Sequence, residues 1–211
     1  MSILLTLTII SVSNIMKPFQ QKGVISRMYK NCTSPETAQR QRYLEQIFQQ
    51  MLKNKDYHAI NIREFCSFAN VPRGMFYRYF DSKTDILHAM IDHTLIDYAK
   101  FRIDFPLPQD VNPEHIRIFY YWHHQKELLD ALSRSNLFGV FFERCLLYAE
   151  KEDFSLHHVV YSGKTDDSEA LSFAITGIAT LVVQWYHSGF KKTELEMAHT
   201  LQRLLYAPIF H

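Results

Sequence analysis

A single proline, Pro72, most constrains how this 211-residue chain can fold. Proline disfavours helix in the residue before it and suits the first turn of a new helix. The apolar pattern before Pro72 predicts a short helix that ends near Phe68, and the pattern after it predicts a second short helix over 72–79. Only residues 69–71 remain between the two. The sequence therefore predicts two short helices joined by a three-residue turn, the arrangement called helix-turn-helix.

Capping signals around this motif indicate where helices begin. Asn61 with Glu64, and Ser82 with Asp85, have capping-box spacing at two helix starts. Apolar spacing predicts a helix over 35–53 before the motif and another from Ser82 to about residue 102. We expect one buried face for the motif, formed by Ile62, Phe65, Cys66, Ala69, Val71, Phe76 and Phe80.

The remainder of the chain also reads as helical, so the predicted fold class is all-α. After prolines at 106, 108 and 113, helical patterns cover 113–133, 135–150 and 153–161. A polar linker over 162–167 precedes a helix over 168–188, with Gly189 at the position of a C-cap glycine. A last helix, capped by Thr193, runs to about residue 206.

Composition excludes several classes of protein. An apolar fraction of 47% with 21% charged residues is typical of a globular protein and excludes a disordered, collagen-like or polytopic membrane chain. Three cysteines without CxxC spacing support neither disulfides nor a zinc finger, so a cytoplasmic location is simplest. No phosphate loop, nucleophile elbow, paired carboxylates or metal triad is present. We therefore expect no catalytic residues, no metal, no cofactor and no enzymatic activity.

Charge is distributed unevenly along the chain. Residues 1–34 have four basic and no acidic side chains, residues 35–83 have eight and five, and residues 84–211 have eleven and seventeen. A basic N-terminal third on an acidic body suggests a module that binds a polyanion such as nucleic acid, although solvated surfaces also produce such asymmetry.

The first 34 residues are predicted to form a flexible N-terminal extension. The apolar run Ile3–Val12 is too short to span a membrane, which needs about 20 residues. No basic residue precedes it, which does not fit a signal peptide. Either the true start lies downstream, at Met16 or Met28, or this is an arm that reaches DNA with Lys22, Arg27 and Lys30. In both cases we expect residues 1–30 to be poorly packed and no membrane to be involved.

The stretch from Asn61 to Lys83 resembles the DNA-binding domain of TetR/AcrR-type transcriptional regulators. Its most specific part is Gly-Met-Phe-Tyr-Arg-Tyr-Phe-Asp-Ser-Lys at 74–83, which follows the family's order of glycine, aromatic, polar and lysine positions. The rest resembles the family only in helix count and in the Trp185–Gly189 ending of a long helix. The resemblance implies an N-terminal three-helix helix-turn-helix domain (35–83) and a C-terminal helical regulatory and dimerisation bundle (84–211).

The resemblance also implies roles for individual residues. Arg63, Arg73, Gly74 and Met75 would face the bases, and Tyr77, Tyr79 and Lys83 would contact the DNA backbone, while Arg78 could do either. The chain departs from the family at Pro72, where a capping serine is common, at Cys66, where alanine is usual, and at Asn70, where glycine is usual. Met75 replaces a common threonine or serine, so the bases that are read stay open. Helix-turn-helix geometry also occurs without DNA binding, with Tyr77 and Tyr79 as packing residues.

In relatives the helices after the DNA-binding domain enclose a ligand. Here an aromatic-rich group of residues in these helices suggests a site for a small apolar effector. The alternative is that these residues form ordinary core. The candidate pocket residues are Phe119, Trp122, His123, Phe138, Phe142 and Trp185. Adjacent histidines such as His123 and His124 point about 100° apart on a helix, so they do not form a metal pair.

The last two helices resemble the dimerisation helices of the family. One carries an apolar stripe with small residues beside it, and the other carries a second apolar stripe. We expect a homodimer that binds double-stranded DNA at a palindromic operator, the alternative being burial of these stripes inside one chain. The residues are Leu171, Ile175, Ile178, Val182 and Trp185, with Ala170, Ala174 and Gly177, and then Ala198, Leu201, Leu204 and Leu205.

The function expected from these patterns is sequence-specific DNA binding by a transcriptional regulator, a repressor released by a small apolar ligand. The alternative is a protein of the same fold that is controlled by a protein partner. The sequence does not identify the operator, the regulated genes or the effector.

Overall fold

The computed structural model describes residues 29–30, 32, 34–104, 106–149 and 168–206. These residues form nine α-helices and no β-strand, which confirms the predicted all-α class. A 3₁₀ turn, Tyr57–Ala59, lies between the first two helices. The helices are α1 (Pro35–Leu52), α2 (Ile62–Phe68), α3 (Arg73–Tyr79), α4 (Lys83–Lys100), α5 (Pro113–His124), α6 (Lys126–Arg134), α7 (Phe138–Ala149), α8 (Ser168–His187) and α9 (Glu194–Tyr206).

Side-chain caps set the helix starts around the motif. The Asn61 side chain accepts a hydrogen bond from the Glu64 amide at 2.9 Å. At the start of α4, Ser82 and Asp85 form a reciprocal capping box. Each cap satisfies amide groups that would otherwise lack a partner at a helix N-terminus, so α2 and α4 begin where the sequence predicted.

Two predicted segments differ from the structure or lie outside it. The helix expected over 113–133 is two helices, α5 and α6, because Gln125 leaves the helical region with φ −93° and ψ 22°. Apolar spacing continues across this break, which is why the pattern alone did not show it. The helix predicted over 153–161 and the linker over 162–167 lie outside the described residues.

A line of aromatic rings in mutual contact forms the core of the motif. Phe65 of α2 meets Phe48 of α1 at 5.6 Å between ring centroids and Phe76 of α3 at 5.8 Å, and Phe76 meets Phe80 at 5.5 Å. All four side chains are fully buried. The first two pairs are edge-on, and such pairs contribute about 0.5–1.5 kcal/mol each beyond the area that they bury. They hold α2 and α3 against α1 and so fix which face of α3 is exposed.

The C-terminal part of the chain is a bundle attached through α4. Helix α4 packs on α1 and on α7, while α8 packs mainly on α7 and α9 on α5. By length and composition the segment Glu169–His187 of α8 could cross a membrane, with mean hydropathy 1.2. The core helix of a soluble bundle meets the same criterion, and one face of α8 is part of this core.

The apolar stripe predicted to form a dimer interface is largely buried inside the chain itself. Ile175, Ile178, Val182 and Trp185 of α8 all belong to the monomer core, as do Ala198 and Leu201 of α9. The prediction is therefore wrong for these six residues, whereas Gly177 of the same set is exposed and dimerisation through the last two helices stays a prediction. Helical spacing identified a buried face correctly, but it does not show whether the covering surface belongs to the same chain.

The residues just before α1 are packed against the motif. Tyr29 is 7% exposed and forms an isolated antiparallel bridge with Phe80. The Lys30 amide donates to the Tyr79 carbonyl at 3.0 Å. The prediction that residues 1–30 are poorly packed is wrong for Tyr29 and Lys30, whereas residues 1–28 lie outside the described part of the chain.

A buried ion pair joins α4 to α7. Arg144 donates from Nε and Nη2 to the two carboxylate oxygens of Asp92, with the Nε contact at 2.6 Å, and both side chains are nearly inaccessible to solvent. The Tyr29 hydroxyl donates to the same carboxylate at 3.0 Å. This carboxylate therefore connects the segment before α1, helix α4 and helix α7.

We expect Arg144→Ala to lower the free energy of unfolding by about 3–5 kcal/mol, because it leaves the Asp92 carboxylate buried without its counter-charge. Urea denaturation monitored by circular dichroism measures this change. Arg134→Ala, at an exposed position on α6, is the control and should change stability by less than about 0.5 kcal/mol. A loss below about 1 kcal/mol for Arg144→Ala would show that the pair is not a structural link.

Candidate nucleic-acid interface

The turn between α2 and α3 depends on Asn70. This residue has φ +53°, a left-handed conformation that asparagine tolerates better than most residues. The turn is closed by the Val71 amide, which donates to the Cys66 carbonyl at 2.9 Å. Residues 69–71 therefore form the predicted tight turn, with asparagine in the place where glycine is usual in the resembled family.

Pro72 begins α3 without a side-chain cap. It occupies the N-cap position with φ −63° and ψ 144°, and no side chain bonds the first turn of the helix. Only its carbonyl takes part, accepting from the Met75 amide at 2.8 Å. The proline fixes the entry angle of the chain into α3 but leaves the first turn without the hydroxyl that a serine would supply.

Helix α3 presents a polar, cationic face to solvent. Arg73, Gly74, Tyr77 and Arg78 are exposed on this short helix, with the second two about one turn after the first two. A Cβ atom added at Gly74 would meet nothing within 4 Å, so the helix backbone itself is open to close approach there. The Arg73 guanidinium donates to the Tyr77 hydroxyl at 3.3 Å, which orients both side chains along one edge of the face.

Two further predicted base-facing residues differ in exposure. Arg63 is exposed in the first turn of α2, at the end of that helix opposite the motif turn. Met75 is half-buried and packs partly against the core, so only part of its side chain is open to a base. No carboxylate pairs with Arg63, Arg73 or Arg78 among the described residues, and the three charges are therefore available to a polyanion.

Tyr79 does not belong to the exposed face. Its side chain is only 6% exposed and packs beside Phe80, with ring centroids 6.3 Å apart. Tyr79 therefore packs mainly in the core, its small accessible part lines a groove beside α3, and its predicted contact with the DNA backbone stays a prediction. The alternation of exposed and buried positions on α3 places Tyr77 outward and Tyr79 inward, a distinction that the family pattern of aromatic residues did not make.

Lys83 is also engaged within the protein. Its ammonium donates to the carbonyls of Tyr57 and Ile60, both at 2.8 Å, and lies 3.4 Å from that of His58. It also lies 4.3 Å from the centroid of the Tyr57 ring. Burial lowers the pKa of Lys83. The predicted backbone contact is corrected, because all three donors of this ammonium are directed at the turn between α1 and α2.

In the part of the chain that the structure describes, the residues proposed for the effector pocket are not gathered around one cavity. The body contains an apolar cavity of about 30 Å³ between α4, α5, α7 and α8, and Trp122 is the one predicted residue that lines it. Phe119 and Trp185 pack edge-on in the core at 5.6 Å, and His123 pairs with Glu194 and stacks on Phe190. Phe138 and Phe142 pack at the edge of the core. The cavity walls are Leu95, Tyr98, Ile118, Trp122, Phe141, Cys145, Ile175, Ile178, Ala179 and Val182.

Comparison with known proteins agrees with this geometry. The family described as "Bacterial regulatory proteins, tetR family" matches residues 50–90, which include the turn between α1 and α2, α2, α3 and the start of α4. Comparison with curated protein sequences finds no significant match.

Two solved structures are similar in fold. The fatty acid degradation regulator FadR from Bacillus halodurans is 15% identical, with a TM-score of 0.54 over 86% of this chain and 100% of that one. The dihydroxyacetone kinase operon activator DhaS is 14% identical, with a TM-score of 0.51 over 79% of this chain and 94% of that one. At this level of identity the likeness concerns the fold alone.

The similarity thus extends beyond the motif to the helical bundle that follows it. The resemblance seen in residues 61–83 is confirmed: residues 50–90 match the tetR family of bacterial regulatory proteins, and the chain is similar in fold to the two solved structures.

Proposed function

We propose that this protein is a cytoplasmic, sequence-specific DNA-binding transcriptional regulator without enzymatic activity. In this proposal residues 35–83 form the DNA-binding domain and residues 84–211 form the domain that dimerises and responds to an effector. One observation carries the proposal: the exposed, unpaired arginines of α3 are held by a tight turn on a well-packed three-helix core. A surface of this kind fits the major groove, where arginine can donate two parallel hydrogen bonds to guanine.

The exposed residues divide into base-reading and positioning roles. Arg73 reaches base edges from α3, and Arg63 reaches them from the start of α2. Arg78 contacts either a base edge or a phosphate. Gly74 permits close approach of the duplex, and the open part of Met75 offers apolar contact, for example to a thymine methyl group. The Tyr77 hydroxyl contacts phosphate and fixes the register of the helix in the groove.

Dimerisation would use the exposed face of α8 rather than its buried stripe. Phe173 is 78% exposed, and Thr176, Gly177 and Gln184 follow it on the same side of the helix. A large exposed aromatic side chain beside small residues is typical of a helix that packs closely against another. We propose a homodimer with two-fold symmetry through this face, which matches a palindromic operator with two half-sites.

Regulation would act on α4. The cavity in the body is lined by Leu95 and Tyr98 of α4, the helix that begins directly after the DNA-binding motif. A small apolar ligand that widens this cavity would displace α4 and release the DNA, as in a repressor. A competing proposal is control by a protein partner. It is favoured by the cavity volume of about 30 Å³, far below the roughly 300–1,000 Å³ of ordinary ligand pockets.

Selection of bound duplexes from a random DNA pool tests the proposed function. We expect the full-length protein to enrich a palindrome with two related half-sites. The control is the double variant Arg73→Ala and Tyr77→Ala, which keeps the buried face of α3 intact. If the natural sequence enriches no site beyond this control, the protein does not read DNA through α3 and the proposal fails. With an operator in hand, release by small apolar compounds or by a protein captured from lysate distinguishes the two modes of control.

We expect Arg73→Ala to relax sequence preference at one base position in each half-site by about 1–3 kcal/mol, because a bidentate contact to guanine is lost. Competition binding with single-base operator variants measures this. An equal loss of affinity for all sequences would instead identify Arg73 as a phosphate contact.

We expect Lys83→Met to destabilise the DNA-binding domain by about 1–3 kcal/mol, because the ammonium no longer donates to three carbonyls of the turn between α1 and α2. Thermal and urea denaturation measure the loss, and Lys100→Met, at an exposed position near the end of the same helix, is the matched control. Unchanged stability together with a smaller salt dependence of DNA binding would restore Lys83 as a phosphate contact.

We expect Phe173→Glu to raise the dimer dissociation constant at least about tenfold, because a central aromatic contact becomes a charge. Sedimentation equilibrium measures the constant. Tyr43→Glu replaces an aromatic residue that is 49% exposed on α1 and should leave the constant unchanged. The proposed face is wrong if both variants dimerise equally well.

A further inference from the structure

A basic groove lies beside the exposed face of α3. It measures about 260 Å³ and is formed by the segment before α1, the first two turns of α1 and the last turn of α3. We call it the flank groove. It is lined by Lys30, Cys32, Glu36, Thr37, Arg40, Arg78 and Tyr79.

The charge in the flank groove is positive and partly uncompensated. Arg40 and Arg78 have no carboxylate partner among the described residues, whereas Lys30 lies 3.0 Å from the Asp81 carboxylate. Glu36 is the one acidic residue in the lining. Hydrogen bonds from its own backbone amide and from the Ser34 hydroxyl lower the pKa of Glu36, so it stays ionised. With Lys30 compensated by Asp81, the two unpaired arginines against one carboxylate leave a groove that attracts a negative group.

The groove is built before any ligand arrives. Its outer wall is tied to α3 by the Lys30 amide, which donates to the Tyr79 carbonyl at 3.0 Å. The same wall is tied to α1 by the buried Gln41 side chain, which donates to the Lys30 carbonyl at 3.2 Å and accepts from the Cys32 thiol at 3.2 Å. A wall fixed on both sides reduces the ordering cost of binding.

Arg78 belongs both to this groove and to the exposed face of α3. It lies one turn after Gly74, where the helix backbone is open to close approach. Arg78 and Arg40 line the same groove, so a duplex strand that approaches α3 at Gly74 has both arginines on the groove beside it. The nearest negative groups on such a strand are its phosphates, which arginine and threonine side chains contact in most protein–DNA interfaces.

We propose that the flank groove holds a backbone phosphate of the DNA strand next to the half-site, bound between Arg40 and Arg78. This inference rests on the proposed DNA-binding function and extends its contact surface onto α1. A contact of this kind adds affinity without sequence preference and fixes the register of α3. A free phosphate-bearing molecule has the same chemistry, so the experiments distinguish it from DNA.

The first experiment measures how operator affinity depends on salt. We expect Arg40→Gln to reduce the slope of log K against log salt by about 1, for every operator variant alike, because one phosphate contact is lost. The matched control is Arg203→Gln, which removes an exposed arginine from α9 and should leave the slope unchanged. Glu36→Gln should tighten binding, because the carboxylate that faces the phosphate is removed. Equal slopes for Arg40→Gln and the natural sequence would overturn the inference.

The second experiment uses the Cys32 thiol as a reporter of occupancy. Cys32 is half-buried in the groove, whereas Cys66 and Cys145 are buried in the core. Burial raises the pKa of the Cys32 thiol, so iodoacetamide labelling is run at alkaline pH, where part of the thiol is ionised, and is followed by mass spectrometry of the Cys32 peptide. We expect operator DNA to slow the labelling of Cys32 several-fold, and expect inorganic phosphate alone to have no effect at the same phosphate concentration.

The outcomes separate the inference from the proposed function. If operator DNA is bound but leaves Cys32 labelling unchanged, the groove lies off the duplex and the inference fails while DNA binding stands. If inorganic phosphate alone protects Cys32 and Arg40→Gln leaves the salt slope unchanged, the groove binds a free phosphate compound and the inference also fails. If the random-pool selection yields no operator, it is the proposed function that has failed.

Discussion

The buried Asp92–Arg144 pair is the interaction on which the arrangement of the two halves of this protein depends. Removing two charges from water is costly, and the cost is offset only while both carboxylate oxygens keep their donors. Because Asp92 lies on α4 and Arg144 on α7, the pair holds the helix that leaves the DNA-binding motif against the body. Tyr29 bonds the same carboxylate and bridges to Phe80, directly after α3. A displacement of α7 would therefore be transmitted to the end of α3 through only a few contacts, from Arg144 through Asp92 to Tyr29.

The features that could be predicted from sequence are those encoded locally. Pro72 and Asn70 specify the turn, because one fixes a helix start and the other tolerates a left-handed backbone. Ser82 with Asp85 specifies the start of α4 through a reciprocal cap. The buried phenylalanines of α2 and α3 follow from helical spacing. None of these signals requires knowledge of which distant segment lies nearby, and the family pattern over 74–83 is of the same local kind.

The features that could not be predicted depend on partners distant in the chain. Lysine is a residue type that often contacts phosphate, which is why Lys83 was predicted to do so. Once α1 and α4 are packed, however, its ammonium reaches the carbonyls of Tyr57 and Ile60. Periodicity showed that the Ile175–Val182 stripe is buried, but the covering surface proved to be the same chain. The flank groove was missed for a similar reason: Lys30, Arg40 and Arg78 are far apart in sequence, and no pattern joins them. Their basic character was visible only as an excess of charge in the N-terminal third.

The position of α4 explains why control of DNA binding is expected to act through this helix. Lys83 at its start anchors the turn before α2, Asp92 near its middle meets α7, and Arg117 of α5 donates to the Tyr98 carbonyl near its end at 2.9 Å. The apolar cavity lies against the second half of the same helix. Contacts with charged side chains hold α4 at both ends of the cavity. An effector bound there can therefore displace α4 only if it changes the packing between these contacts. Under the proposed function, a ligand in this cavity releases the DNA only if it binds more tightly to a form in which α4 is displaced.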